Sequence, residues 1–92
     1  MKQSEAIAVV GCGTVGASWA ALFLAHGYDV QATDPNQAAE QYLHRYVDKA
    51  LPQLRDLGCT GQGRLTFTTQ LPDALHGVCF VQENAPENEE LK

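Results

Sequence analysis

The stretch "VVGCGTVGASWA", residues 9 to 20, sets three glycines as Gly11-x-Gly13-x-x-Gly16. Such spacing serves either a tight turn or a backbone that must approach a phosphate. In the second role Gly11 permits the turn and Gly13 lets the main chain touch a pyrophosphate. Gly16 lets a following helix pack close to the preceding strand. The loop also carries Cys12, Thr14 and Val15. A helix starting here would turn its free N–H groups and positive dipole end toward phosphate oxygens. A second chemical group is Asp34, which stands 18 residues after Gly16. A carboxylate there can accept both hydroxyls of a ribose. Taken alone, Asp34 fits a helix N-cap or a turn acid beside Pro35 equally well.

These groups need elements to place them. "AIAVV", Ala6 to Val10, is a continuous apolar run of the kind that forms a strand buried on both faces of a parallel sheet. After the glycines, Val15, Trp19, Leu22, Phe23 and His26 recur at helical spacing with alanines between them, and Gly27 supplies a stop. "YDVQATD", Tyr28 to Asp34, reads as a second strand ending on the acid. Pro35 can open a second helix at its first position. Its apolar stripe is Ala39, Leu43, Val47, Ala50, Leu51 and Leu54; Pro52 should kink or break it, and Gly58 ends it. "CTGQG" is a loop, "RLTFTT" a third strand and "LPDALHG" a short helix or turn. "VCFVQ", Val78 to Gln82, is a fourth strand, and "APENEELK" reads as the first turns of another helix.

Strands alternating with helices imply an α/β fold with a parallel sheet and right-handed crossovers. The expected architecture is a partial, doubly wound sheet of Rossmann type, in strand order 3-2-1-4, with the glycines at the carboxyl end of the central strand. In that setting the glycine loop and Asp34 together point to a dinucleotide. A carboxylate at Asp34 repels a 2′-phosphate, so NAD is the expected cofactor over NADP.

Composition narrows the partners. A chain of 92 residues with 45% hydrophobic and 18% charged residues fits one small folded domain. Six Lys+Arg against eleven Asp+Glu give a formal net charge of -5, which argues against nucleic acid or an anionic membrane as a partner. The apolar runs are too short for a transmembrane helix, and Gly11, Gly13 and Gly16 interrupt the N-terminal one before it could form a signal peptide. Cys12, Cys59 and Cys79 are odd in number and lack metal-ligand spacing. They read as free thiols in a reducing cytoplasm, with no disulfide framework and no metal site. There is no internal repeat and no low-complexity tract.

The run from Val9 to Pro35, with its Ser18-Trp19-Ala20 step, resembles the N-terminus of the L-3-hydroxyacyl-CoA dehydrogenase superfamily. "FVQENAPENEELK", Phe80 to Lys92, is similar to the L-carnitine dehydrogenase and lambda-crystallin (L-gulonate 3-dehydrogenase) branch, where the fourth strand ends in Q-E-x-x-P-E. The resemblance is weakest between Gln37 and Gln70. It implies NAD contacts at Gly11 through Gly16, at Asp34, and at Glu87 and Lys92. Read without it, Glu87 and Lys92 are a solvated, charged first helical turn. It further implies oxidation of the hydroxyl of a small 3-hydroxy acid or 3-hydroxyacyl-CoA, and a homodimer in the full-length protein. The catalytic His and its orienting Glu fall beyond Lys92. His26, His44 and His76 do not match them, so residues 1–92 hold no catalytic residue and are expected to be the N-terminal part of the NAD-binding domain. Two other readings stand beside this one: a non-catalytic nucleotide-binding or lens-type structural relative, and a different Rossmann enzyme such as a flavoprotein.

Overall fold

A computed structural model of the chain describes residues 5–84. The elements run β1 (Ala6–Val10), α1 (Thr14–Ala25), β2 (Asp29–Thr33), α2 (Ala39–Asp56), β3 (Leu65–Thr68), α3 (Leu71–Leu75) and β4 (Phe80–Glu83). The helical turns expected over Ala85 to Lys92 lie outside the described residues.

All three strand pairings are parallel, and the order is β3-β2-β1-β4, as the alternating pattern predicts. The register sets Val10 opposite Thr33 on one side and opposite Glu83 on the other. The carboxyl ends of β2, β1 and β4 therefore come level beside the glycine loop. Successive residues of a strand face opposite sides of the sheet. Val30 and Ala32 accordingly join the core under α1 and α2, while Gln31 on the other face donates to the Ala74 carbonyl at 2.7 Å and the His76 carbonyl at 3.1 Å, tying down α3. The sheet is thus covered on both faces, as a doubly wound fold requires.

Four details depart from the sequence reading. The face that α1 buries is Gly16, Ala17, Ala20, Ala21, Leu24 and Ala25, and not the row of larger side chains. Small residues let the helix approach both the sheet and α2. Val15 and Trp19 are left 50% and 37% exposed, and Trp19 stacks on Phe23 with ring centroids 5.5 Å apart. Second, α2 begins at Ala39 and not at Pro35. Asp34 Oδ1 accepts the Asn36 N–H and Asn36 Oδ1 accepts the Ala38 N–H, both at 2.9 Å. Two successive side-chain turns of this kind hold the backbone away from helix. Third, α2 runs unbroken through Pro52 to Asp56. Proline removes one helical N–H donor, but Pro52 is exposed, so the carbonyl it leaves free can face water. Leu43 and Val47 meanwhile anchor the helix in the core. Fourth, β4 starts two residues later than expected. Val78 and Cys79 lead the chain in, and the Cys79 N–H reaches the Ala6 carbonyl at 2.9 Å before the ladder opens at Ile7 and Phe80.

Candidate functional site

The site forms where β1 stops. Gly11 has φ +91, a left-handed conformation that glycine adopts without steric penalty. It turns the chain so that α1 can begin at Thr14, with Gly13 as its N-cap. The first N–H groups of a helix have no partner within it, and they face outward here with the positive end of the dipole. Gly16 lies in the first turn of α1, where an added Cβ would overlap the Gly11 carbonyl oxygen. A side chain at this position would push the helix off the turn.

Asp34 stands on the β2 flank. Its Oδ2 accepts the Cys12 N–H at 2.9 Å and its Oδ1 accepts the Asn36 N–H at 2.9 Å. A carboxylate has about four acceptor positions, so Asp34 keeps acceptors for ligand hydroxyls while being held in place by two amides. The Cys12 side chain turns away from the loop into the core and is 1% exposed. Burial, and then the negative charge of Asp34, push its thiol up to about 12, against a smaller downward pull from a backbone hydrogen bond at Thr33. Cys12 is a neutral, buried packing group, and its part in the loop is played by its main chain.

A cleft of about 460 Å³ opens over these groups, a size that suits a small ligand. Of the residues singled out from sequence, Gly11, Cys12, Gly13, Val15, Gly16 and Asp34 line it. Thr14 sits in the same loop but turns its hydroxyl to that of Tyr42 on α2, 3.0 Å away. Glu87 and Lys92 lie outside the described residues. His26 and His76 cap the far ends of α1 and α3, and His44 lies along α2, 3.7 Å from Glu40.

The cleft also takes in Val10, Pro35, Glu83 and Asn84, which the sequence does not single out as site residues. Asn84 stands out among them. Its main-chain N–H and its Nδ2 both donate to the Val10 carbonyl at 3.0 Å, and Nδ2 also donates to the Gly11 carbonyl at 3.2 Å. The signal available was the Gln82-Glu83-x-x-Pro86-Glu87 pattern, which encloses it.

Among the described residues the lining includes no Lys or Arg, so an anion here would be met by backbone amides and the helix dipole. The chain order of the sheet reverses between β1 and β4, and a crevice at that point is where open α/β sheets take ligands. A glycine turn leading into a helix, an acid at the end of the neighbouring strand and a cleft at the reversal define the class: a dinucleotide-binding α/β domain.

Comparison with known proteins makes the class narrower. Residues 6–92 match the family model of the 3-hydroxyacyl-CoA dehydrogenase, NAD binding domain. An L-carnitine dehydrogenase of Streptomyces griseus is 47% identical over 89 residues, covering 94% of this chain and 27% of the relative. One from Pseudomonas putida is 40% identical, covering 100% of this chain and 30% of the relative. Among solved structures, an NAD+-dependent dismutase, 5-formyl-3-hydroxy-2-methylpyridine 4-carboxylic acid 5-dehydrogenase, superimposes with a TM-score of 0.79 at 33% identity, over 97% of this chain and 30% of that one. The 3-hydroxybutyryl-CoA dehydrogenase of Escherichia coli follows at 0.72 and 26% identity, over 98% of this chain and 20% of that one. The chain belongs to the 3-hydroxyacyl-CoA dehydrogenase NAD-binding domain family, and NAD is its cofactor. It spans 27% to 30% of the length of the two L-carnitine dehydrogenases. No helix among the described residues is long and apolar enough to cross a membrane.

Proposed function

We propose that these 92 residues are the N-terminal part of the NAD-binding domain of a cytoplasmic, homodimeric 3-hydroxy acid dehydrogenase, acting on L-carnitine or a closely related 3-hydroxy acid. The observation that carries the reading is the glycine turn at the β1–β4 reversal with Asp34 level beside it. The turn fits a diphosphate, because Gly11 and Gly16 let α1 start tight against the end of β1, with the first helical amides free to receive phosphate oxygens. In this reading the amides of the Gly11–Gly16 loop, with the start of α1, receive the diphosphate, and Asp34 accepts the adenosine ribose hydroxyls. Glu83 and Asn84 floor the cleft on the β4 side. Glu87 and Lys92 complete the contacts beyond β4. Bound NAD supplies a hydride acceptor for the oxidation of a secondary hydroxyl to a ketone.

Proton removal from that hydroxyl needs a base within about 2.6–3.2 Å. Among the described residues no histidine lines the cleft. In this reading the base and the substrate pocket lie outside these 92 residues, and the chain alone is expected to show no hydride transfer. The test is NADH formation by the chain and by a gene product extended to the length of its relatives. L-Carnitine and L-3-hydroxybutyrate come first, then L-gulonate and a short 3-hydroxyacyl-CoA. Turnover by the extended protein on one of them is the expected result. Silence on all four would move the reading to a non-catalytic nucleotide-binding protein.

A further inference from the structure

The peptide joining Gly11 to Cys12 is held at both ends and from opposite flanks. Its carbonyl accepts from Asn84 Nδ2 on the β4 side at 3.2 Å, and its N–H donates to Asp34 Oδ2 on the β2 side at 2.9 Å. The peptide before it is held the same way. The Val10 carbonyl accepts from the Asn84 N–H and Nδ2, and the Gly11 N–H donates to the Thr33 carbonyl at 2.8 Å. A peptide unit is planar, so two anchors on each unit fix both planes of the turn. The chain enters α1 from a turn that is already set.

We propose that Asn84 is a positioning residue for the diphosphate of the dinucleotide. It acts through the Val10 and Gly11 carbonyls, and so aims the amides and helix start that receive the phosphates. The proposal rests on the NAD-binding reading above. Asparagine is suited to the task because its carboxamide carries two N–H donors, and here two carbonyls must be met. Gln82 Nε2, 3.5 Å from Asn84 Oδ1, lies on the amide's oxygen side, so the nitrogen faces the turn. An aspartate in its place would set a carboxylate against two carbonyl oxygens and add a negative charge to a cleft that already holds Asp34 and Glu83. Adenosine depends on the other flank. Asp34 keeps its Asn36 anchor whatever stands at position 84.

The experiment titrates ADP and adenosine, each alone, into the chain and into Asn84→Ala, Asn84→Ser and Asn84→Asp, followed by two-dimensional amide NMR. Losing one or two hydrogen bonds from the turn should weaken ADP binding by about three- to tenfold in Asn84→Ala. Adenosine affinity should stay within about twofold. Asn84→Ser, with a single donor, should fall between the parent and Asn84→Ala, and Asn84→Asp should lose the most. Unchanged ADP affinity in a folded Asn84→Ala overturns the proposal. So do equal losses for ADP and adenosine, which mark a general structural defect. If Asn84→Ala and Asn84→Ser both lose the native amide spectrum, Asn84 is a stability residue and the proposal fails. If the parent chain binds neither ADP nor adenosine, the NAD-binding reading itself fails, whereas binding by the parent with no effect at position 84 sinks this inference alone.

Discussion

Asp34 carries two tasks with one carboxylate. It holds the Cys12 amide and it keeps acceptors for a ribose. NAD is therefore expected to bind more tightly than NADP, whose 2′-phosphate meets that charge. Hydrogen bonds to a charged group contribute about 1.5–3 kcal/mol, roughly tenfold or more in affinity. Asp34→Ser should shrink the NAD preference by that order, as read by calorimetry with both cofactors; equal affinities in the parent would refute the assignment. Cys12 offers a separate test. Its pKa is raised from the ordinary 9.0 to about 12, so the neutral thiol favours the fold. That contribution is whole below pH 9 and is lost as the pH rises toward 12. Urea unfolding between pH 9 and 11 should show a decline of up to about 1.4 kcal/mol per pH unit from this group. In Cys12→Ala the decline should be shallower by that amount. The glycines and Asp34 were legible because their meaning lies in local spacing. Asn84 was not, because its partners Val10 and Gly11 are neighbours only once β4 lies beside β1.

Helices and strands followed the order that the hydrophobic pattern predicts, yet the faces of α1 did not. This helix is apolar around most of its circumference, so periodicity cannot say which side is buried. The alanines win because they allow the closest approach to the sheet. The start of α2 was hidden for a different reason. Its first expected turn belongs to Asp34 and Asn36, whose side chains compete for the backbone. By contrast, the stripe of α2 was plain, and Leu43 in its first half is fully buried in the core shared with α1, β1 and β2. Leu43→Ala should cost about 2–5 kcal/mol, a large share of the stability of a domain this small. Leu57, 79% exposed just past the end of α2, is the contrast: Leu57→Ala should change stability by about 0.5 kcal/mol or less. Chemical denaturation midpoints of the two variants decide it. Similar losses would mean that the α1–α2 contact is not where the core resides.

Taken whole, the molecule has one side that water does not suit. β4 is an edge strand, and on it Phe80 is 51% exposed and packed edge-on to Phe23, which stacks on the partly exposed Trp19. Open edges and contiguous apolar patches invite association. The 92-residue chain is expected to self-associate, with a sedimentation coefficient that rises with concentration, and Phe80→Lys should suppress the rise. A coefficient independent of concentration would count against it. The same strand has a consequence in time. Among the described residues β1 is the first element and β4 the last, yet they pair directly, from Ile7 with Phe80 to Val10 with Glu83. Contacts between distant parts of a chain form late, because loop closure must precede them. During synthesis β1, β2 and β3 can assemble under α1 and α2 while β4 is still in the ribosome. A nascent chain should then hold the glycine turn from the Thr33 and Asp34 side alone, and gain its second anchor only when Asn84 emerges.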